Sequence, residues 1–148
     1  MNEISPERAA FLAGDYCRGF IRYCRIEPEE IKRGYFQSRV IIGEDHRQQD
    51  GFIHAGVMAT MADHTAGYAA FTLAPEDRQI LTIEFKINFL RPAFGESLSC
   101  RSRIIREGSQ ILIAESEVFD KRGQDEVMAA KAMVTLMSVP KEKLLSKD

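Results

Sequence analysis

The sequence predicts an α+β fold, a strongly curved antiparallel sheet wrapped on one central helix. Three observations predict it. A run of small apolar residues, Ala55 to Leu73 (AGVMATMADHTAGYAAFTL), is long enough to favour a helix over a strand. Strand-like segments precede it, and four more follow it, separated by turn signals. A helix built of Ala, Gly and Thr lets a sheet approach closely and curl around it. At 148 residues the chain suits one domain, residues 1–148, with a single sizeable core.

The elements follow in order. Ser5-Pro6-Glu7 reads as a helix start, with Ser at the N-cap, Pro at the first helical position and an acid in the first turn. That helix runs to about Gly14. Residues 18–29 and 34–42 carry weak strand patterning. Residues 44–51 (EDHRQQDG) are polar and aperiodic, hence a loop. After the central helix, Ala74-Pro75-Glu76-Asp77 breaks the chain. From Leu81 to Phe89 the alternation puts Leu81, Ile83, Phe85, Ile87 and Phe89 on one face, expected to pack on the helix. Thr82, Glu84, Lys86 and Asn88 fall on the other. Residues 96–107 and 109–119 read as the next two strands. Asp120-Lys121-Arg122-Gly123 reads as a hairpin turn. The last strand, 127–139, is apolar on both faces apart from Lys131 and Thr135, which predicts a place mid-sheet or at a subunit contact. So small a domain does not easily enclose a deep pocket, so oligomerisation with a site at the subunit interface is expected.

Composition bounds the function. The formal net charge of −2 gives no bulk attraction to nucleic acid or an anionic membrane. Cys17, Cys24 and Cys100 are odd in number and fit neither a CxxC nor a zinc pattern, so free thiols in a reducing compartment are expected. The N-terminus lacks the apolar run of a signal peptide, and no stretch reaches the ~20 apolar residues of a membrane span. The expected location is the cytoplasm.

The chemistry concentrates at residues 51–63. A loop enters the helix through His54, Ala55 and Gly56. The first N–H groups of a helix have no internal partner and carry the positive end of its dipole. With only a methyl at Ala55 and no side chain at Gly56, a carbonyl oxygen gaining negative charge can approach them closely. Asp63 lies about two turns further on, in an otherwise apolar run. Thr60 and Gly67, at i−3 and i+4, share its face and leave room beside it. A buried carboxylate needs a partner or a purpose. Asp63 is either a catalytic group or an acid paired across an interface or capping a backbone group. His54 is a candidate catalytic residue, as a general base or, as is commoner at a loop-to-helix junction, in an orienting or packing role. His64 points about 100° away from Asp63 around the helix, toward an interface or the surface, and His46 sits in the polar loop. No HExxH, G-x-S-x-G elbow, P-loop or G-x-G-x-x-G occurs, so neither a metal nor a cofactor is expected.

The stretches GFIHAGVMATMAD and TIEFKINFLRPAFGESL resemble the hotdog-fold thioesterases of the phenylacetic-acid-degradation (PaaI) type, in the superfamily of the 4-hydroxybenzoyl-CoA thioesterases. The resemblance spans about Glu44 to Val139, and the order and spacing of both motifs match. It implies an acyl-CoA thioesterase. The family pattern is His-Gly-Gly with an acid nine residues after the His, a spacing His54 and Asp63 keep. The resemblance assigns Asp63 as general base or nucleophile and the Ala55 N–H as the group that polarises the thioester carbonyl. Ala55 stands where the family has its first Gly, and its methyl is expected to narrow the substrate range. Gln48, six residues before the His, and Thr82, opening the strand before INFLRPA, are implied to place water or thioester. Thr82 conflicts with its position on the polar face of its strand. Gly56 and Gly67 are expected to border the substrate. Coenzyme A phosphates need basic partners, for which Arg91, Arg103, Arg106 and Lys121 are candidates near strand ends and turns, with Arg106, beside Gly108 and Ser109, preferred. Relatives share the site between two subunits, which implies a homodimer or homotetramer with Asp63 and Thr82 from one chain and Gln48 and Ala55 from the other. A hotdog hydratase or dehydratase and a non-catalytic acyl-CoA-binding module are the rival readings.

Overall fold

The computed structural model describes residues 3–146. Helix α1 (Pro6–Tyr16) starts as predicted, its first turn capped by Ser5 Oγ accepting from the Arg8 N–H at 3.1 Å. The next segment departs from expectation. Residues 18–29 hold a short helix, α2 (Phe20–Cys24), before strand β1 (Glu27–Lys32) begins. Gly19 at φ 60, ψ −128 and Arg25 at φ 62 bracket α2. These left-handed positions turn an apolar segment into one helical turn where side-chain preference alone suggests a strand.

Strand β2 (Tyr35–Ile41) follows, then helix α3 (Ala55–Phe71) and strands β3 (Arg78–Phe89), β4 (Ser97–Glu107), β5 (Ile111–Arg122) and β6 (Asp125–Pro140), with a terminal turn of helix, α4 (Lys141–Leu145). All pairings are antiparallel, in the order β1-β2-β4-β5-β6-β3. β6 therefore lies inside the sheet, one strand from its edge. The last hairpin turn is Gly123-Gln124, two residues later than the sequence suggests, since Arg122 pairs with Asp125. Asp120 belongs to β5 instead. It is fully buried and its carboxylate accepts from the Phe94 and Gly95 N–H groups at 3.0 and 2.9 Å. That clasp fixes the chain between β3 and β4. Gly95 is required there, because an added Cβ would lie 2.0 Å from the Lys121 carbonyl oxygen.

α3 packs against β2, β3, β4, β5 and β6, so the sheet curls around it. Ala62, Ala66, Ala69 and Ala70 are fully buried and bring backbone close to backbone. The contact also carries polar pins. Ser116 Oγ donates to the Ala62 carbonyl at 2.7 Å, and the Cys100 thiol reaches the Met61 carbonyl at 3.6 Å. Thr65 Oγ1 meets both the Tyr16 hydroxyl and Ser38 Oγ, at 2.9 and 2.8 Å. Sheet hydroxyls thus hold α3 at the turn that carries Asp63.

β3 corrects the predicted facing. The ladder to β6 shifts register between Thr82 and Glu84, a bulge at Ile83. Thr82 lies opposite Leu136, while Phe85, Ile87 and Phe89 lie opposite Val134, Ala132 and Ala130. Those β6 residues are buried against the helix side, and directly paired residues share a face. Thr82 therefore faces α3, as do Phe85, Ile87 and Phe89, whereas Leu81 faces outward opposite Met137. A clean alternation read straight through the bulge gives the wrong parity on one side of it.

Candidate active site

Asp63 and Thr82 meet. The Thr82 hydroxyl donates to Asp63 Oδ1 at 2.7 Å, a contact the Ile83 bulge makes possible. Asp63 is half-buried and, among the described residues, pairs with no cation. It opens into a cavity of about 360 Å³ with Ala59, Thr60, Phe20 and Phe85 on its walls. A carboxylate steadied by one hydroxyl keeps lone pairs free for a proton or an electrophilic carbon. Thr60 leaves that space open, since its hydroxyl turns back to the Gly56 carbonyl at 2.8 Å. Gly67 is equally uncrowded, with nothing within 4 Å of an added Cβ.

The N-terminus of α3 forms a second centre. His54 is the N-cap residue, and its Nδ1 accepts from the Gly56 N–H at 2.8 Å. As acceptor, Nδ1 is unprotonated, so the neutral ring carries its proton on Nε2. An added Cβ at Gly56 would lie 2.9 Å from that nitrogen, so the cap needs glycine. With the Gly56 N–H on His54 and the Val57 N–H on the His54 carbonyl, the exposed Ala55 N–H is a donor without an acceptor among the described residues. Gln48 sits across from it, and Gln48, His54, Ala55, Met58 and Phe89 line a cavity of about 610 Å³. The Gln48 side-chain Oε1 accepts from the Asp50 N–H, and the Gln48 backbone N–H donates to the Phe52 carbonyl at 2.8 Å. Its amide NH2 has no partner among the described residues. Arg47 braces the loop through the Gly51 and Gly95 carbonyls at 2.8 and 3.3 Å.

The residues named from sequence therefore fall into three places. Asp63 and Thr82 share one cavity; Gln48, Ala55 and His54 share another. Arg106, Gly108 and Ser109 lie at the β4–β5 turn and line neither. There Gly108 allows a close approach, since an added Cβ would sit 2.4 Å from the Ile111 carbonyl oxygen. Arg106 is exposed and unpaired among the described residues.

Two histidines prove more internal than their sequence positions suggest. His46 is buried, accepting from the Gly43 N–H at 2.9 Å and bonding the Cys24 carbonyl at 2.7 Å. His64 packs between the Tyr16 and Tyr68 rings, centroids 4.4 and 4.8 Å away, with Nε2 3.0 Å from the Tyr16 carbonyl. Burial pushes the His64 imidazole down, and the Tyr16 carbonyl and the charges of Asp63 and Asp15 counter it more weakly. Below the ordinary imidazole value of about 6.5 the unfolded chain takes up a proton that the folded chain resists. Stability contributed by neutral His64 is full above that pH and is lost as pH falls, at up to about 1.4 kcal/mol per pH unit. His64→Gln keeps a donor for Tyr16 and should flatten this slope in denaturant titrations run at several pH values. An unchanged slope would contradict the assignment.

Comparison with known proteins agrees with this architecture. The thioesterase superfamily profile matches residues 50–127, just over half of the chain. A thioesterase family protein from Silicibacter pomeroyi superposes with a TM-score of 0.86 at 30% identity, covering 90% of this chain and 98% of that one. A thioesterase from Haemophilus influenzae shares the fold, at 16% identity and a TM-score of 0.83 over 95% of this chain and 96% of that one. The medium/long-chain acyl-CoA thioesterase YigI of Escherichia coli is 25% identical over 154 residues, spanning 90% of this chain and 96% of its own. No helix among the described residues is long and apolar enough to cross a membrane. With its six-stranded antiparallel sheet wrapped on α3, the chain has the hotdog fold and belongs to the thioesterase superfamily.

Proposed function

We propose that this protein hydrolyses an acyl-coenzyme A to the free acid and coenzyme A, with Asp63 as general base or nucleophile. The observation that carries the reading is the state of Asp63. Its carboxylate is half-buried at a cavity, steadied by Thr82 and free of any cation among the described residues. A structural acid would be spent on an ion pair or a cap.

The site is completed between two copies of the chain. Gln48 and Ala55 line one cavity and Asp63 and Thr82 another, so the pairs suit opposite sides of one seam. β3 supplies the means to close it. It is a 12-residue edge strand with Leu81, Ile83, Phe85 and Phe89 exposed on a single chain, and such an edge is a template for pairing. A homodimer follows, or a homotetramer built of two.

In the reaction the thioester carbonyl accepts a hydrogen bond from the Ala55 N–H of one protomer, aided by the α3 dipole. Asp63 of its partner removes a proton from water, which adds to the carbonyl carbon, or attacks that carbon itself to give a mixed anhydride that water then opens. The C–S bond breaks and coenzyme A leaves as a thiolate, a good leaving group that needs no strong general acid. Gln48 and Thr82 orient water and substrate. His54 holds the helix end in place through Gly56. Arg106, with Gly108 and Ser109, is assigned to the coenzyme A phosphates. The chemistry calls for no metal or redox cofactor, and the partner is a soluble small molecule, consistent with a cytoplasmic enzyme.

Release of free thiol from a panel of acyl-CoA substrates tests the proposal. Turnover on at least one member is expected. Tight binding without thiol release, or enoyl formation in its place, would overturn it.

A further inference from the structure

Helix α2 lies outside the segment matched by the superfamily profile, yet it walls the Asp63 cavity. Phe20 and Ile21 line that cavity beside Asp63. A neighbouring cavity of about 340 Å³ runs back along α3 past Gly56, Val57 and Thr60, with Phe20 and Tyr23 on its outer side. The two cavities have Phe20 and Thr60 in common. These side chains therefore stand at the passage between them. Gly19, in a conformation that only glycine adopts readily, begins the turn that carries Phe20. The Phe20 ring is 64% exposed and stacks on Tyr23 with centroids 6.5 Å apart, so no core packing accounts for its position.

The floor of this groove is Gly56, Val57, Ala59 and Thr60, all small; Phe20 and Tyr23 wall one cavity, and Phe20, Ile21 and Phe85 wall the other beside Asp63. Two cations stand at its far end, but both are engaged. Arg25 pairs with Asp45, and Arg47 donates to the Gly51 and Gly95 carbonyls. The Arg25 charge is compensated by Asp45 and the Arg47 guanidinium is held by two backbone carbonyls, so neither is set out as an open clamp for a diphosphate, and the coenzyme A end of a thioester is poorly matched to the groove. From Asp63 to Gly56 the groove follows about 10 Å of helix rise.

The geometry points to Phe20 as the residue that sets acyl specificity: the groove between α2 and α3 holds a linear, medium-length aliphatic acyl chain, threaded past Phe20 with its carbonyl at Asp63. The inference rests on the thioesterase reading of Asp63. An unbranched chain passes the Phe20–Thr60 gap, whereas a bulky aromatic acyl group is held back at it.

Phe20→Trp and Phe20→Ala test this on the full-length protein. The exposure of Phe20 predicts thermal unfolding near that of the parent for both. Phe20→Trp narrows the gap and should lower the kcat/KM ratio of dodecanoyl-CoA to butanoyl-CoA by about tenfold or more, the scale of a few displaced methylenes. Phe20→Ala widens it and should raise the ratio of phenylacetyl-CoA to butanoyl-CoA by a similar factor. Selectivity unchanged in both variants would overturn the inference. S-alkyl-coenzyme A thioethers, which have no carbonyl to attack, probe the groove apart from catalysis. Their affinity should rise from butyl to dodecyl, and Phe20→Trp should abolish that rise. A chain-length effect sensitive to Phe20 in a protein that hydrolyses nothing would sink the thioesterase reading and leave the groove standing. Hydrolysis indifferent to Phe20, with thioether affinity equally indifferent, would do the reverse.

Discussion

Asp63→Asn is expected to lower kcat/KM on the best acyl-CoA by about a hundred- to ten-thousand-fold, the range over which a positioned acid–base group contributes. The substitution removes charge and basicity and little else. The asparagine carbonyl can still accept the Thr82 hydroxyl, now 2.7 Å from Asp63 Oδ1, and no salt bridge is broken because Asp63 makes none among the described residues. Ser116 and Cys100 continue to pin α3 at the Ala62 and Met61 carbonyls. Unfolding of the variant should therefore stay close to that of the parent. KM should move less than kcat, since the lost interaction acts mainly in the transition state. Rapid-quench mass spectrometry on the parent separates the two roles of Asp63: a mixed anhydride adds the acyl mass to the protein, and general-base catalysis adds nothing. Near-parental turnover by Asp63→Asn would remove Asp63 from the chemistry altogether.

Ala55→Pro is expected to reduce kcat by about a hundred- to a thousandfold, as loss of one oxyanion donor does elsewhere. Proline deletes the N–H and is tolerated at the first position of a helix, where that N–H has no internal partner. Its demand on the preceding residue is already met, since His54 sits at φ −62, ψ 135, in the extended region. The His54–Gly56 cap is untouched. Stability should change little, which isolates the missing donor. Ala55→Gly keeps the N–H and removes the methyl. It should retain kcat while broadening the acyl range, and a large loss of rate there would show that the methyl, not the donor, matters.

Much of the fold was readable from residue pattern. The central helix and the strand spacing after it survive to within a few residues, because long runs of consistent periodicity leave few alternatives. The failures have local physical causes. Residues 18–29 look strand-like by side chain, but two left-handed backbone positions, Gly19 and Arg25, bracket Phe20–Cys24 as α2, and the strand begins only at Glu27. The bulge at Ile83 reverses parity within a clean alternation, and only the ladder to β6 reveals it. Asp120 was legible as turn chemistry and not as a buried clasp, since its partners are backbone N–H groups that any sequence supplies. His46 and His64 were hidden for the same reason, each anchored to a carbonyl. At the site, the spacing of His54 and Asp63 marked the stretch on which the proposed chemistry rests. It did not show that His54 Nδ1 would be occupied by Gly56, nor that a bulge would bring Thr82 to Asp63. The place of Phe20 at the cavity beside Asp63 carried no signal, because it depends on how α2 lies against α3.

A site shared between protomers makes a direct demand on mixtures. Asp63→Asn and Ala55→Pro, each nearly inactive alone, can be unfolded together and refolded at equal concentration. If the two groups act from opposite chains, half of the dimers are mixed, and each mixed dimer holds one seam with both defects and one with neither. Thiol release should then recover to about a quarter of the parental rate, with two-fold symmetry setting the fraction. A mixture that stays as inactive as its components, while dimers demonstrably exchange, would mean that the carboxylate and the helix N–H do not meet across an interface, and the catalytic site drawn here would be wrong.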